Sequence, residues 1–137
     1  LSTPIGIVCI DDNADVCAAI RSYVTDHPAY HWLGQHDRGD GAAEIVLAAM
    51  PSIVVLDVDM PGRPSMEVLE EIAASIGDVR VIVFSGHCKR ALIERAMDGG
   101  AWGFVSKNDG EDVLFDAIQR VMRGEVVLSL EAIAALK

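Results

Sequence analysis

The chain has 137 residues, 51% of them hydrophobic and 23% charged, with a formal net charge of −10. That length fits one compact domain with a real core, and the composition excludes wholesale disorder. The acidic balance, with no compensating basic patch, argues against this segment reading nucleic acid by itself.

The first element is the apolar run Ile5–Ile10, read as a buried strand that ends in Asp11-Asp12. After Asn13, residues Val16, Ile20 and Val24 recur every four positions and predict a helix. A weaker strand is expected near His31–Gly34. Arg38-Gly39-Asp40 then reads as a turn into a second helix, striped by Ala42, Ile45, Val46 and Ala49. Ile53–Leu56 is a continuous apolar run ending in Asp57, and Met66, Leu69, Ile72 and Ala73 mark a third helix. The strand Val79–Phe84 leads into Ser85-Gly86. Leu92, Ile93, Ala96 and Met97 mark a fourth helix, which Gly99-Gly100 ends. The strand Trp102–Val105 is followed by Ser106-Lys107. Val113, Leu114, Ala117, Ile118 and Val121 predict a fifth helix, closed by Gly124.

Five strand-then-helix repeats imply the α/β class, with right-handed crossovers and a three-layer sandwich. The runs Ile53–Leu56, Val79–Phe84 and Trp102–Val105 are continuous rather than alternating, as in a parallel sheet covered on both faces. Residues 1–124 are read as the domain. Residues 125–137 are read as a tail, either an extra helix or a linker toward an absent domain. A chain that starts at Leu1 rather than Met reads as a fragment of something longer. Three cysteines, Cys9, Cys17 and Cys88, with no C-x-x-C pair, argue against a disulfide framework or a zinc site and fit a reducing cytosol. Cys9 and Cys17 read as small apolar residues of a strand and a helix. No signal peptide or membrane-length apolar stretch is read, so a cytoplasmic location is expected. The four histidines show no metal-ligand spacing and are expected at the surface.

In a doubly wound sheet, ligands collect at the carboxyl ends of the strands. Those ends carry Asp11-Asp12, Asp57, Ser85 and, just beyond the last strand, Lys107. Clustered carboxylates repel one another, and a hard divalent cation such as Mg²⁺ relieves that repulsion. With the cation in place, the Asp57 carboxylate is the natural nucleophile for a phosphoryl group. Lys107 and the Ser85 hydroxyl are then available to its other oxygens.

Four segments carry a family resemblance: Val8–Asp12, Val54–Gly62, Val81–Gly86 and Gly99–Lys107. In them and in their order, over about residues 5–124, the chain resembles the receiver domain of bacterial two-component response regulators. The stretches Gly103–Asn108 and Val121–Val126 look most like the NarL/FixJ (LuxR-type) subgroup. The resemblance implies a flavodoxin-like fold with a five-stranded parallel sheet of order 2-1-3-4-5. It implies Asp57 as phosphoacceptor, Asp12 as a direct Mg²⁺ ligand, Asp11 as a ligand mainly through water, and the Asp59 backbone carbonyl as a further ligand. Lys107 would pair with the phosphate. Ser85 and Phe104 would be the switch pair that repacks the face of the fourth helix, fifth strand and fifth helix. The expected partner is a sensor histidine kinase or phosphotransfer protein, and a homodimer is admitted. Output is expected to be transcriptional, with DNA bound only through a C-terminal domain outside this segment, and no membrane is expected to take part. The chain is read as a phosphoacceptor that assists its own phosphorylation and dephosphorylation, not as an enzyme.

Departures from the family pattern are Asn108 in place of a common proline, and Arg63-Pro64-Ser65 in place of a glycine-containing turn. Asp59 and His87 are expected to flank the pocket. Two other functions compete with the receiver reading. One is a module that keeps the fold and only binds. The other is a phosphohydrolase of the haloacid dehalogenase type, suggested by Asp57-Val58-Asp59, but that family places its acidic metal pair after the lysine.

Overall fold

The computed structural model describes residues 3–75 and 77–137. Leu1 and Ser2, part of the expected 1–124 domain, lie outside the described residues, as does Ile76. Six strands alternate with helices along the chain. They run β1 (Ile5–Ile10), α1 (Ala14–Thr25), β2 (Tyr30–His36), α2 (Ala42–Ala49), β3 (Ile53–Leu56) and α3 (Ser65–Ser75). Then come β4 (Arg80–Ser85), α4 (Arg90–Asp98), β5 (Gly103–Ser106), a 3₁₀ turn (Lys107–Asp109), α5 (Glu111–Met122), β6 (Val127–Leu128) and α6 (Leu130–Ala135). All strand pairs are parallel and the order is β2-β1-β3-β4-β5-β6.

The continuous apolar strands fill two separate cores, because successive side chains point to opposite faces. Ile7, Cys9, Ile53, Val55, Ile82, Phe84 and Val105 face α1 and α5. Val8, Ile10, Val54, Leu56, Val81, Val83 and Phe104 face α2, α3, α4 and α6. Helix α1 meets its core with Cys17, Ile20 and Val24, four or fewer positions apart, which is the spacing of one helical face. Strand β2 is half-buried and lies at the sheet edge, which explains its weak apolar pattern; its pairing with β1 shifts register between Ile7 and Val8.

The structure corrects three expectations. Strands β4 and β5 each begin and end one residue later than predicted, so Ser85 and Ser106 close the strands rather than follow them, and the two are register partners. Among the described residues the sheet has six strands, not five. The tail supplies the sixth: Gly124, at φ +89°, turns the chain, and Val127 and Leu128 pair with Gly103 and Phe104. The five-strand order therefore holds and gains β6 on the β5 edge, where Val127 N–H donates to Trp102 O at 3.0 Å.

Candidate functional site

Strands β1 and β3 are paired neighbours with Ile10 opposite Leu56, so the residues after them, Asp11 and Asp57, leave the sheet side by side. Their backbones are fixed: Asp11 N–H donates to His36 O and Asp57 N–H to Ile10 O, each at 2.9 Å. Asn13 braces the loop. Its N–H donates to Asp11 Oδ1 at 2.9 Å, while its own Oδ1 caps α1 by accepting from Asp15 N–H at 3.0 Å and Val16 N–H at 3.3 Å. One carboxylate oxygen from each of Asp11, Asp12 and Asp57 lies within 4.8 Å of the others. Asp11 and Asp57 are buried, at 3% and 5% exposure, and Asp12 is exposed.

Lys107 opens the 3₁₀ turn that follows β5, two strands away from β3. Its Nζ lies 2.8 Å from Asp11 Oδ2 and 3.4 Å from Asp57 Oδ1. Burial opposes its charge, but the hydrogen bond to Asp11 and the charges of both aspartates outweigh burial and hold the ammonium above its ordinary value. The Asp57 carboxyl is pushed up to about 6, first by burial and then by the charge of Asp11, against the opposing pull of Lys107. Three carboxylates thus face one ammonium, a surplus of two negative charges at a largely buried rim. A divalent cation balances that surplus, and a donor set made only of carboxylate oxygens suits a hard cation such as Mg²⁺.

Ser85 is fully buried at the end of β4; its hydroxyl accepts from His87 N–H at 2.9 Å and donates to His87 O at 3.1 Å. Phe104 is fully buried on β5, in the same core as Ile93 and Ala96 of α4. Asp59 does not join the carboxylate cluster. Its side chain is exposed and meets His87 Nε2 at 3.4 Å, so these two bridge the loops after β3 and β4. The Arg63-Pro64-Ser65 segment is tied down: Arg63 Nη1 lies 2.7 Å from Glu71 Oε1, and Pro64 O accepts from Glu67 and Val68 N–H at the start of α3. Against it sits the Arg38-Gly39-Asp40 turn, where Gly39 N–H donates to Pro61 O at 3.1 Å. Cys9 and Cys17 are buried free thiols with their sulfurs 3.5 Å apart.

Two roles escaped sequence reasoning. The brace by Asn13 was legible in principle, since Asn directly before an apolar helical stripe signals a helix cap. The ties from Asn108 and Asp109 to Glu131, across more than twenty residues, left no local signal. Among the described residues, no helix is long and apolar enough to cross a membrane.

Comparison with known proteins agrees with this geometry. Residues 7–119 match the response regulator receiver domain. The response regulator UvrY of Escherichia coli is 30% identical over 121 residues, which are 88% of this chain and 56% of that protein. The nitrate/nitrite response regulator protein NarL of Escherichia coli is 26% identical over 126 residues, covering 92% of this chain and 58% of that protein. The chain therefore spans a little over half the length of these curated relatives. The crystal structure of a LuxR-family two-component response regulator from Aurantimonas sp. superposes with a TM-score of 0.90 at 25% identity, covering 98% of this chain and 96% of that one. With its acidic rim, its doubly wound parallel sheet and this match over most of its length, the chain belongs to the receiver domains of response regulators, in the NarL/FixJ (LuxR-type) subgroup.

Proposed function

We propose that Asp57 accepts a phosphoryl group from a sensor histidine kinase or phosphotransfer protein, and that the chain thereby controls an output partner. The observation that carries this reading is the meeting of Asp11, Asp12 and Asp57 around one point, with Lys107 bound to two of them. A carboxylate oxygen of Asp57 attacks phosphorus; an O–P bond forms as the donor's N–P bond breaks, and the donor imidazole leaves. Phosphoryl transfer asks chiefly for alignment and charge neutralisation. Asp11, Asp12, Asp57 and the Asp59 backbone carbonyl would hold Mg²⁺, which supplies positive charge to the transferring oxygens. Lys107 supplies a second positive charge.

Ser85 is the proposed switch hydroxyl. To meet a phosphoryl oxygen it must give up its bond to the His87 carbonyl, which frees the loop before α4. Phe104 is already fully buried, so the proposed response on its side is a repacking beneath α4 and α6 rather than entry from solvent. The chain's matched stretch covers only 58% of relatives named as a transcriptional activator protein and a nitrate/nitrite response regulator protein, so the proposed output is transcription, with DNA bound by a C-terminal domain outside residues 1–137.

The test is incubation with Mg²⁺ and a small phosphodonor, read by intact mass. One added phosphoryl group, absent in Asp57→Asn, is the expected result. Catalytic release of phosphate from many monoesters would point instead to a hydrolase. No adduct and no response to beryllium fluoride would leave only a binding module.

A further inference from the structure

The tail is bound to the turn that carries the site's lysine more closely than a linker requires. Four residues run from the end of β5 into the 3₁₀ turn: Ser106, Lys107, Asn108 and Asp109. Three of them bond to the tail. Ser129 Oγ accepts from Ser106 N–H at 3.0 Å, with both side chains buried. Asn108 Nδ2 donates to Glu131 Oε1 at 3.2 Å, and Asp109 Oδ2 accepts from Glu131 N–H at 3.1 Å. The fourth is Lys107, which reaches Asp11 and Asp57.

A single 3₁₀ turn holds its own shape poorly. This one is capped by Ser106 Oγ, which accepts from Asn108 N–H at 3.1 Å, and closed by Gly110 N–H, which donates to Lys107 O at 3.3 Å, before Gly110 leads into α5. The three bonds to the tail are what hold it from outside. The tail in turn is seated firmly. Ser129 N–H donates to Phe104 O at 3.1 Å, Val127 is buried beside β5, and Ala132 is fully buried in the core that holds Phe104 and Ile93.

We infer that residues 127–135 form a strap that positions Lys107, with Asp109 and Glu131 as positioning residues, so that tail docking and occupancy of the site are coupled. This rests on the reading of Asp57 as phosphoacceptor. An anion at Asp57 gives Lys107 a new partner and fixes the turn that carries it. A fixed turn holds Glu131 and the start of α6 more tightly. By linkage, loosening the strap must weaken the anion by the same factor.

The test uses the whole 137-residue chain with Mg²⁺, and beryllium fluoride as the phosphoryl mimic. Binding is followed by calorimetry and the tail by hydrogen exchange. In the wild type, saturation is expected to slow exchange over residues 129–135 by about threefold or more. Asp109→Ala is expected to weaken beryllium fluoride about fivefold and to abolish the slowing. Asp109→Asn keeps an acceptor oxygen for the Glu131 N–H and is expected to restore both. Should Asp109→Ala not fold, Glu131→Ala removes the Asn108 side-chain bond while leaving the Glu131 N–H on Asp109, and is expected to shift affinity the same way, by about twofold. Wild-type binding with unchanged tail exchange, or wild-type affinity in these variants, overturns the strap alone. A wild type that binds no beryllium fluoride overturns the phosphoacceptor reading, and the strap with it.

Discussion

Lys107 sits closer to Asp11 than to Asp57, at 2.8 Å against 3.4 Å. Without a metal, the ammonium stands between two buried carboxylates and is the main counter-charge to both. Removing it strands them, and breaking a buried pair from one side is costly because the remaining charge stays buried. Lys107→Ala is expected to lose about 3 kcal/mol of stability at neutral pH in the presence of a chelator. Saturating Mg²⁺ should recover a large part of that loss, since the cation takes over the same role. Urea unfolding with and without Mg²⁺ measures both; an equal loss in the two conditions rules the account out.

The raised Asp57 carboxyl makes a prediction with a definite sign. Its value lies at about 6 in the fold against 3.8 ordinarily, so the folded protein holds this proton more tightly than the unfolded chain. The resulting stabilisation is complete below about pH 4 and is lost as pH rises through about 6. At pH 7 the metal-free fold carries a buried, ionised Asp57 at a cost on the order of 3 kcal/mol. Asp57→Asn should therefore stabilise the chelated protein at pH 7 by roughly that amount and give no gain at pH 4. A gain of equal size at both pH values would mean that ionisation is not its source.

The acidic rim was legible because its residues stand at strand ends, and those ends were legible to within one residue because the apolar runs in β1, β3, β4 and β5 stop there. Asp11, Asp12, Asp57 and Lys107 meet as the strand order requires. Position along the chain also put Ser85 at this rim, whereas Phe104 entered only through the family resemblance. What it did not supply was direction: the Ser85 hydroxyl faces the His87 backbone, and Lys107 leans to Asp11. The tail was the larger gap. Val126-Val127-Leu128 is too short an apolar run to signal a strand against a helix. Its pairing depends on the free edge of β5, a property of the sheet and not of those residues.

Two rim glycines should respond in opposite ways to the same added methyl group. A Cβ on Gly39 would stand 1.8 Å from the Arg63 backbone oxygen, and Arg63 cannot retreat easily because Glu71 holds its side chain. Gly39→Ala is expected to cost about 1–3 kcal/mol and, by pushing the loop after β3, to weaken Mg²⁺ binding. Nothing lies within 4 Å of a Cβ on Gly86, so Gly86→Ala is expected to stay within about 0.5 kcal/mol of the wild type. Thermal unfolding and a Mg²⁺ titration of each variant check the pair; a silent Gly39→Ala would show that the loop yields freely.

Asp59 and His87 pose the opposite case, a contact worth little to the fold and more to the chemistry. Both side chains are exposed, at 79% and 61%, and their 3.4 Å contact should contribute less than about 1 kcal/mol to stability. Yet each stands two residues beyond a group at the site, Asp57 and Ser85, and together they join the acceptor's own loop, after β3, to the loop after the neighbouring β4. Water that enters between these two loops would reach a phosphoryl group on Asp57. Truncating either partner opens the approach, so Asp59→Ala and His87→Ala should each shorten the adduct's half-life while leaving unfolding nearly unchanged. Combining them should add little, because either change alone already breaks the bridge. Intact-mass decay after removal of the phosphodonor gives the half-lives. Unaltered or longer lifetimes would place the attacking water on another path.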